Sequence, residues 1–126
     1  MRLRPIADAL SVFLCLLCGQ WAGAETAILI QESPLAGAQY HALPEVVASL
    51  RVGDRLLLVP EPGNRHDALA IRVEWQGHLL GYVPRRENRL LTEALTRGAR
   101  LRARVTALRA HPDPWQRVQF AVFAVL

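Results

Sequence analysis

The clearest pattern along the chain is alternation. Leu101, Ala103, Val105 and Ala107 interleave with Arg100, Arg102 and Arg104, which predicts a half-buried strand over 100–108 with its arginines turned outward. The same two-residue period appears at Ile71, Val73 and Trp75 against Arg72 and Glu74, within a strand expected over 68–75. Gln76-Gly77 then turns the chain into a second β segment over 78–83, so the two runs predict a hairpin. Leu56, Leu57, Leu58 and Val59 form an unbroken apolar run, as expected for a strand covered on both faces. Thr26 to Gln31 predicts the first strand, Gln39-Tyr40-His41 its continuation or a second short strand, and Gln116 to Val125 the last one.

The period changes in two places. Leu43, Val46, Val47 and Leu50 recur at spacings of three and four, which predicts a short helix with Pro44 in its first turn and Gly53 past its end. Pro84 opens a second helix, over roughly 85–97, with Leu90, Leu91, Ala94 and Leu95 as its buried stripe and Gly98 as its stop. Between the strands at 55–59 and 68–75, the run Pro60-Glu61-Pro62-Gly63-Asn64-Arg65-His66-Asp67 excludes regular structure. Its prolines fix φ and remove donors, while Gly63 and Asn64 suit tight turns. The sum is an all-β fold with two short helices. Five to six short strands predict a small OB-like or SH3-like closed β-barrel, because closure would leave no exposed edge.

Residues 1–24 read differently. Arg2 and Arg4 precede an apolar stretch running to Cys18, and Ala22-Gly23-Ala24 supplies small residues at its end. This is the pattern of a signal peptide cut after Ala24, leaving one domain over 25–126 in an exported, periplasmic or secreted protein. A start site placed too far upstream would instead leave the domain cytoplasmic. The apolar stretch is too short for a settled membrane-spanning helix. Cys15 and Cys18 both fall within it, so the domain beyond has neither disulfide nor thiolate ligand and must be held by packing alone.

Every basic residue is arginine, and the net charge is +4. Arginine forks onto phosphate and stacks on bases, and a GC-rich genome would supply the same bias. The Arg100, Arg102 and Arg104 face is either a solvated strand surface or a phosphate contact. Catalytic chemistry finds no support. His41, His66, His78 and His111 are scattered, and no HExxH, cysteine or serine-centred nucleophile motif accompanies them in the domain. His66 beside Asp67 lacks a third metal ligand, so no metal, no cofactor and no enzyme activity are expected.

The run from Gly53-Asp54 through Leu56–Val59, Glu61-Pro62-Gly63-Asn64-Arg65-His66-Asp67 and Ala70-Ile71-Arg72-Val73, then Gly77 and Gly81-Tyr82-Val83-Pro84-Arg85, resembles the HIRAN domain family. That resemblance implies an OB-like barrel and, from members attached to DNA-repair translocases, binding of single-stranded DNA at a free 3′ end. It also implies that Tyr40 stacks on a terminal base, that Asn64 and Asp67 form the polar pair of the loop, with Asp67 accepting from the 3′-hydroxyl, and that Arg85 lies near the backbone with Tyr82 beside it. The sequence departs from the pattern twice: Gln39 stands where DNA-end-binding members have arginine, and His66 where they have a second aromatic wall.

Read from the residues alone, Asn64 and Asp67 either shape their own loop or face a ligand, and Tyr40 is either a core-edge ring or an exposed platform. The expected function is a non-catalytic module for single-stranded DNA or another nucleic acid. The alternative is an exported interaction or structural domain that has kept the fold and binds another protein.

Overall fold

The computed structural model describes residues 25–126. The signal peptide expected over 1–24, with Cys15, Cys18 and the cleavage position after Ala24, lies outside the described residues. Strand β1 (Ala27–Pro34) leads through a 3-10 turn (Ala38–Tyr40) to helix α1 (Leu43–Val46). Strands β2 (Arg55–Pro60), β3 (Ile71–Trp75) and β4 (His78–Tyr82) follow, then a 3-10 turn at Arg85–Glu87 and helix α2 (Arg89–Thr96). Strand β5 (Leu101–Leu108), a turn at Pro114–Gln116 and strand β6 (Val118–Val125) complete the chain.

All six strands join one sheet in the order β1-β6-β5-β2-β3-β4, and every pairing is antiparallel. The alternation predicted for β5 and β3 is realised: Ala103, Val105, Ile71, Val73 and Trp75 point into the core with Phe120, Val122 and Leu80. Leu91 of α2 and Leu43 of α1 cover this inner face. Among the described residues no helix is long and apolar enough to cross a membrane.

The expected closed barrel is not formed. The sheet is open, with β1 and β4 as its edges. After β1 the chain does fold toward β4, and Ala36 and Tyr82 exchange both backbone hydrogen bonds at 2.9 Å. That bridge is isolated, for a local reason. Gly37 takes a left-handed conformation with φ 67° and starts the 3-10 turn, while Pro84 beyond β4 has no N–H to extend a ladder.

Three smaller expectations also fail. Residues 39–41 belong to a 3-10 turn and its end, not to a strand. The β2 run is covered on one side only: Leu56 is buried, whereas Leu57 is paired with Glu74 on the outer face and 61 % exposed. Helix 85–97 is broken at Asn88, and Leu90 turns outward at 75 % exposure, leaving Leu91 and Leu95 as its contacts with the core.

The bridge depends on Gly81. A Cβ there would lie 2.5 Å from the carbonyl oxygen of Ala36 and 3.0 Å from Cγ of Leu35, which is 1 % exposed. Neither backbone nor packed leucine can move away cheaply, so Gly81→Ala is expected to destabilise the protein by roughly 1–3 kcal/mol, the usual range for an overpacked core. Gly63→Ala, with nothing within 4 Å of the added carbon, should leave the thermal midpoint unchanged or slightly raised. Melts of the two variants check this, and equal midpoints would contradict it.

Candidate functional site

The rigid loop between β2 and β3 is built by its own polar side chains. The side-chain oxygen of Asn64 accepts from the backbone N–H groups of His66 at 2.8 Å and Asp67 at 3.0 Å. Its Nδ2 donates to Oε1 of Glu61 at 2.7 Å. Both ends of the amide are therefore engaged within the loop, which makes Asn64 a shaping residue. Asp67 accepts from the N–H of Leu69 at 2.9 Å through one oxygen and from Nδ2 of Asn88 at 2.7 Å through the other. Asn88 is 2 % exposed. Asp67 itself stays half-buried, so lone pairs of its carboxylate remain for a further donor.

Glu61 gathers the neighbouring elements. Besides Asn64, it accepts from the Tyr82 hydroxyl at 3.0 and 3.2 Å, and it pairs with Arg72 at 3.4 Å. Arg72 also reaches Glu74 at 2.9 Å. The Asn64 hydrogen bond, then those of Tyr82 and the Arg72 charge, hold the Glu61 carboxyl below its ordinary value of 4.5 against the opposing effect of burial. Burial and the adjacent Glu61 raise the Tyr82 phenol above its ordinary value. The hydrogen bond from Leu69, helped by Asn88 and by the charge of Arg85, holds Asp67 below its ordinary value of 3.8.

The 3-10 turn brings the aromatic side to this loop. The ring of His41 lies 5.5 Å from that of Tyr82, tilted by 59°. Tyr40, one residue earlier, is 80 % exposed, so it is not a core-edge ring. The turn also packs against the Pro114–Gln116 turn, whose Trp115 is 46 % exposed. Asp113 fixes that second turn by accepting from the Trp115 N–H at 3.0 Å.

Most of the residues singled out from the sequence thus sit on adjoining elements. Tyr40 and Tyr82 flank His41, Asn64 and Asp67 share the loop, and Arg85 lies close enough to Asp67 to act on its charge. His66 is exposed on the same loop. Gln39 differs: its Oε1 is buried and accepts no hydrogen bond, so this side chain is turned inward. Arg100 and Arg102 pair with Glu25. No third metal-ligating side chain joins His66 and Asp67 among the described residues.

Glu61, Arg72, Asn88 and Trp115 are site residues that the sequence alone does not single out. A carboxylate in a proline-flanked loop and an asparagine at a break between helices are signals only once their partners are known. Trp115 carried a visible one, an aromatic in a proline-bounded loop.

The HIRAN domain family model matches residues 28–126. Two solved structures share the fold. A crystal structure of a protein from Lactobacillus plantarum is 28 % identical with a TM-score of 0.69, over 81 % of this chain and 98 % of that one. The crystal structure of the HIRAN domain of human HLTF is 14 % identical with a TM-score of 0.56, over 79 % and 77 %, and at that identity shows the fold alone. No curated protein matches the chain in sequence.

The depressed carboxyls predict a pH dependence. A carboxyl whose folded pKa lies below its unfolded one adds stability that is complete above the unfolded value and is lost as pH falls through the folded value. Starting from ordinary values of 4.5 for Glu61 and 3.8 for Asp67, stability should hold near neutrality and decline below about pH 4.5. Urea midpoints at neutral and acid pH measure this. The Glu61→Gln variant should start lower and lose less on acidification, and a slope equal to the wild type's would contradict the assignment.

Proposed function

The chain belongs to the HIRAN domain family, and we propose on that premise that it is a non-catalytic module binding single-stranded DNA at its free 3′ end. One observation carries the reading: an exposed tyrosine stands on a turn packed against Tyr82, beside a loop whose amide and carboxylates are already fixed in place.

A terminal base stacks on Tyr40, a contact worth roughly 1–3 kcal/mol and tolerant of base identity because every base has a π-face. Trp115, on the adjoining turn, offers a second ring. Asp67 accepts from the terminal hydroxyl, and Asn88 and Leu69 hold the carboxylate in position for it. Preorganisation of this kind lowers the ordering cost of binding. Arg85, exposed at the start of its turn, contributes a charge to the phosphate. Asn64 acts through the loop, while His66 stacks with less surface than a tyrosine would.

Gln39 favours a second reading, a domain that has kept the fold and binds a protein instead. Its inward amide supplies no charge where DNA-end-binding relatives are expected to carry arginine. Fluorescence anisotropy of the full chain with labelled single strands separates the two. Binding at low salt should weaken on blocking the 3′-hydroxyl and on Asp67→Ala. Tyr40→Ala should cost roughly 5- to 150-fold, the affinity equivalent of one stacked base. Absence of binding at low salt would reject the DNA reading and leave the protein-binding one.

A further inference from the structure

The loop between β5 and β6 is fixed as firmly as the one between β2 and β3. The N–H of Arg109 donates to the carbonyl of Arg117 at 2.8 Å and closes the loop at its base. The Arg117 side chain staples it from within: Nε donates to the carbonyl of His111 at 2.8 Å and Nη2 to that of Pro112 at 3.1 Å. Nδ1 of His111 accepts from the Asp113 N–H at 2.9 Å, and Asp113 accepts in turn from the Trp115 N–H. Pro112 and Pro114 hold φ on either side of Asp113.

This loop borders a cleft of about 620 Å³. Its walls are apolar: Val47, the residue that ends α1, faces Leu108 and Pro112 across it. The polar side chains that line it, Arg109, His111 and Arg117, all offer donors, and no carboxylate among the described residues lines it. A guanidinium has five N–H donors, and Arg117 spends two of them on the loop. The others stay available on a group that cannot swing away. His111 accepts at Nδ1, so the neutral ring keeps its proton on Nε2. Arg109 is exposed, and its side chain has no hydrogen bond or ion pair among the described residues.

Donors above apolar walls suit a ligand in which an anionic group is tied to a flat apolar one, and a guanidinium fork matches a phosphate in shape as well as charge. The cleft is bounded by the same elements that carry the two exposed rings. Trp115 lies between Pro112 and Arg117 in the chain, its turn packs against the turn of Tyr40, and that turn leads into α1 and Val47. We propose that this cleft takes an inner nucleotide of the strand whose 3′ end is held at Tyr40 and Asp67, with Arg109 and Arg117 on its phosphate and its base against Val47 and Leu108. This rests on the DNA reading above. The loop is set before the strand arrives, so little ordering cost falls on binding.

The test titrates the full chain with oligothymidylates of roughly two to eight nucleotides, all with free 3′ ends, at several salt concentrations. Affinity and salt dependence should rise with length until the strand fills the cleft. Arg109→Gln should reduce the logarithmic salt slope of the longest strand by about 0.7, the share of one phosphate contact on a single strand. Val47→Glu, which sets a carboxylate against the phosphate, should weaken that strand roughly tenfold. Arg97→Gln removes the same charge from an exposed position at the end of α2 and should leave the slope unchanged. All three positions are exposed, so thermal midpoints equal to the wild type's are expected and confirm that each variant is folded. A slope that Arg109→Gln moves no more than Arg97→Gln does, or a longest strand held by Val47→Glu as tightly as by the wild type, overturns the cleft assignment and leaves the end site standing. Failure of every length to bind the wild type overturns the DNA reading and the cleft together.

Discussion

Glu61 holds the Asn64 amide at 2.7 Å, the Tyr82 hydroxyl at 3.0 Å and the Arg72 guanidinium at 3.4 Å on one carboxylate. Three pieces of the chain are thereby tied: the β2–β3 loop, the start of β3 and the end of β4. Each tie constrains something else. Through Asn64 the carboxylate sets the backbone that presents His66 and Asp67, and through Tyr82 it sets the ring on which His41 rests. The interaction is charge-assisted on every side, the class of hydrogen bond that contributes most to stability and to fixed geometry.

An open sheet has to manage its edges, and here one edge is put to use. The free edge of β4 receives the isolated bridge from Ala36 and one hydrogen bond from the Ala42 N–H to the Leu79 carbonyl, and the bridge needs Gly81 because the carbonyl and Leu35 fill the space of a side chain. The turn beyond it then has nowhere to lie except beside Tyr82, which carries Tyr40 outward. A fully closed ladder would have continued residues 37–41 as strand and alternated their side chains between the core and solvent. The break in pairing is what frees Tyr40 from that alternation.

Much of the fold was legible because alternation is a local signal. Arg100 to Ala107 and Ile71 to Trp75 announced which face would be buried, and the hairpin at Gln76-Gly77 followed from turn chemistry. Closure was not legible, since it turns on whether two distant edges pair over many residues or over one. The Leu56–Val59 run misled for a related reason: an apolar residue such as Leu57 can stand on an outer face that no layer covers. In the site, the loop residues Asn64 and Asp67 were visible as types and spacing. What they do was not, because the answer lay with Asn88 and Glu61, whose partners are far along the chain or on another element. Gln39 shows the limit of reading by position, since a polar residue in the expected place faces the interior.

The division of labour among the polar groups bears on how such a module would act. Asn64 spends both ends of its amide on the loop, and Glu61 is surrounded by donors, so neither has much left for a ligand. What faces solvent is a flat ring, a second ring on the next turn and a carboxylate with spare lone pairs. A single stacked base and one hydrogen bond give modest affinity, and little of it depends on base identity. On the proposed reading, recognition would follow the form of a strand end and not its sequence. Added affinity must come from charge spread along the strand rather than from any further refinement of the loop.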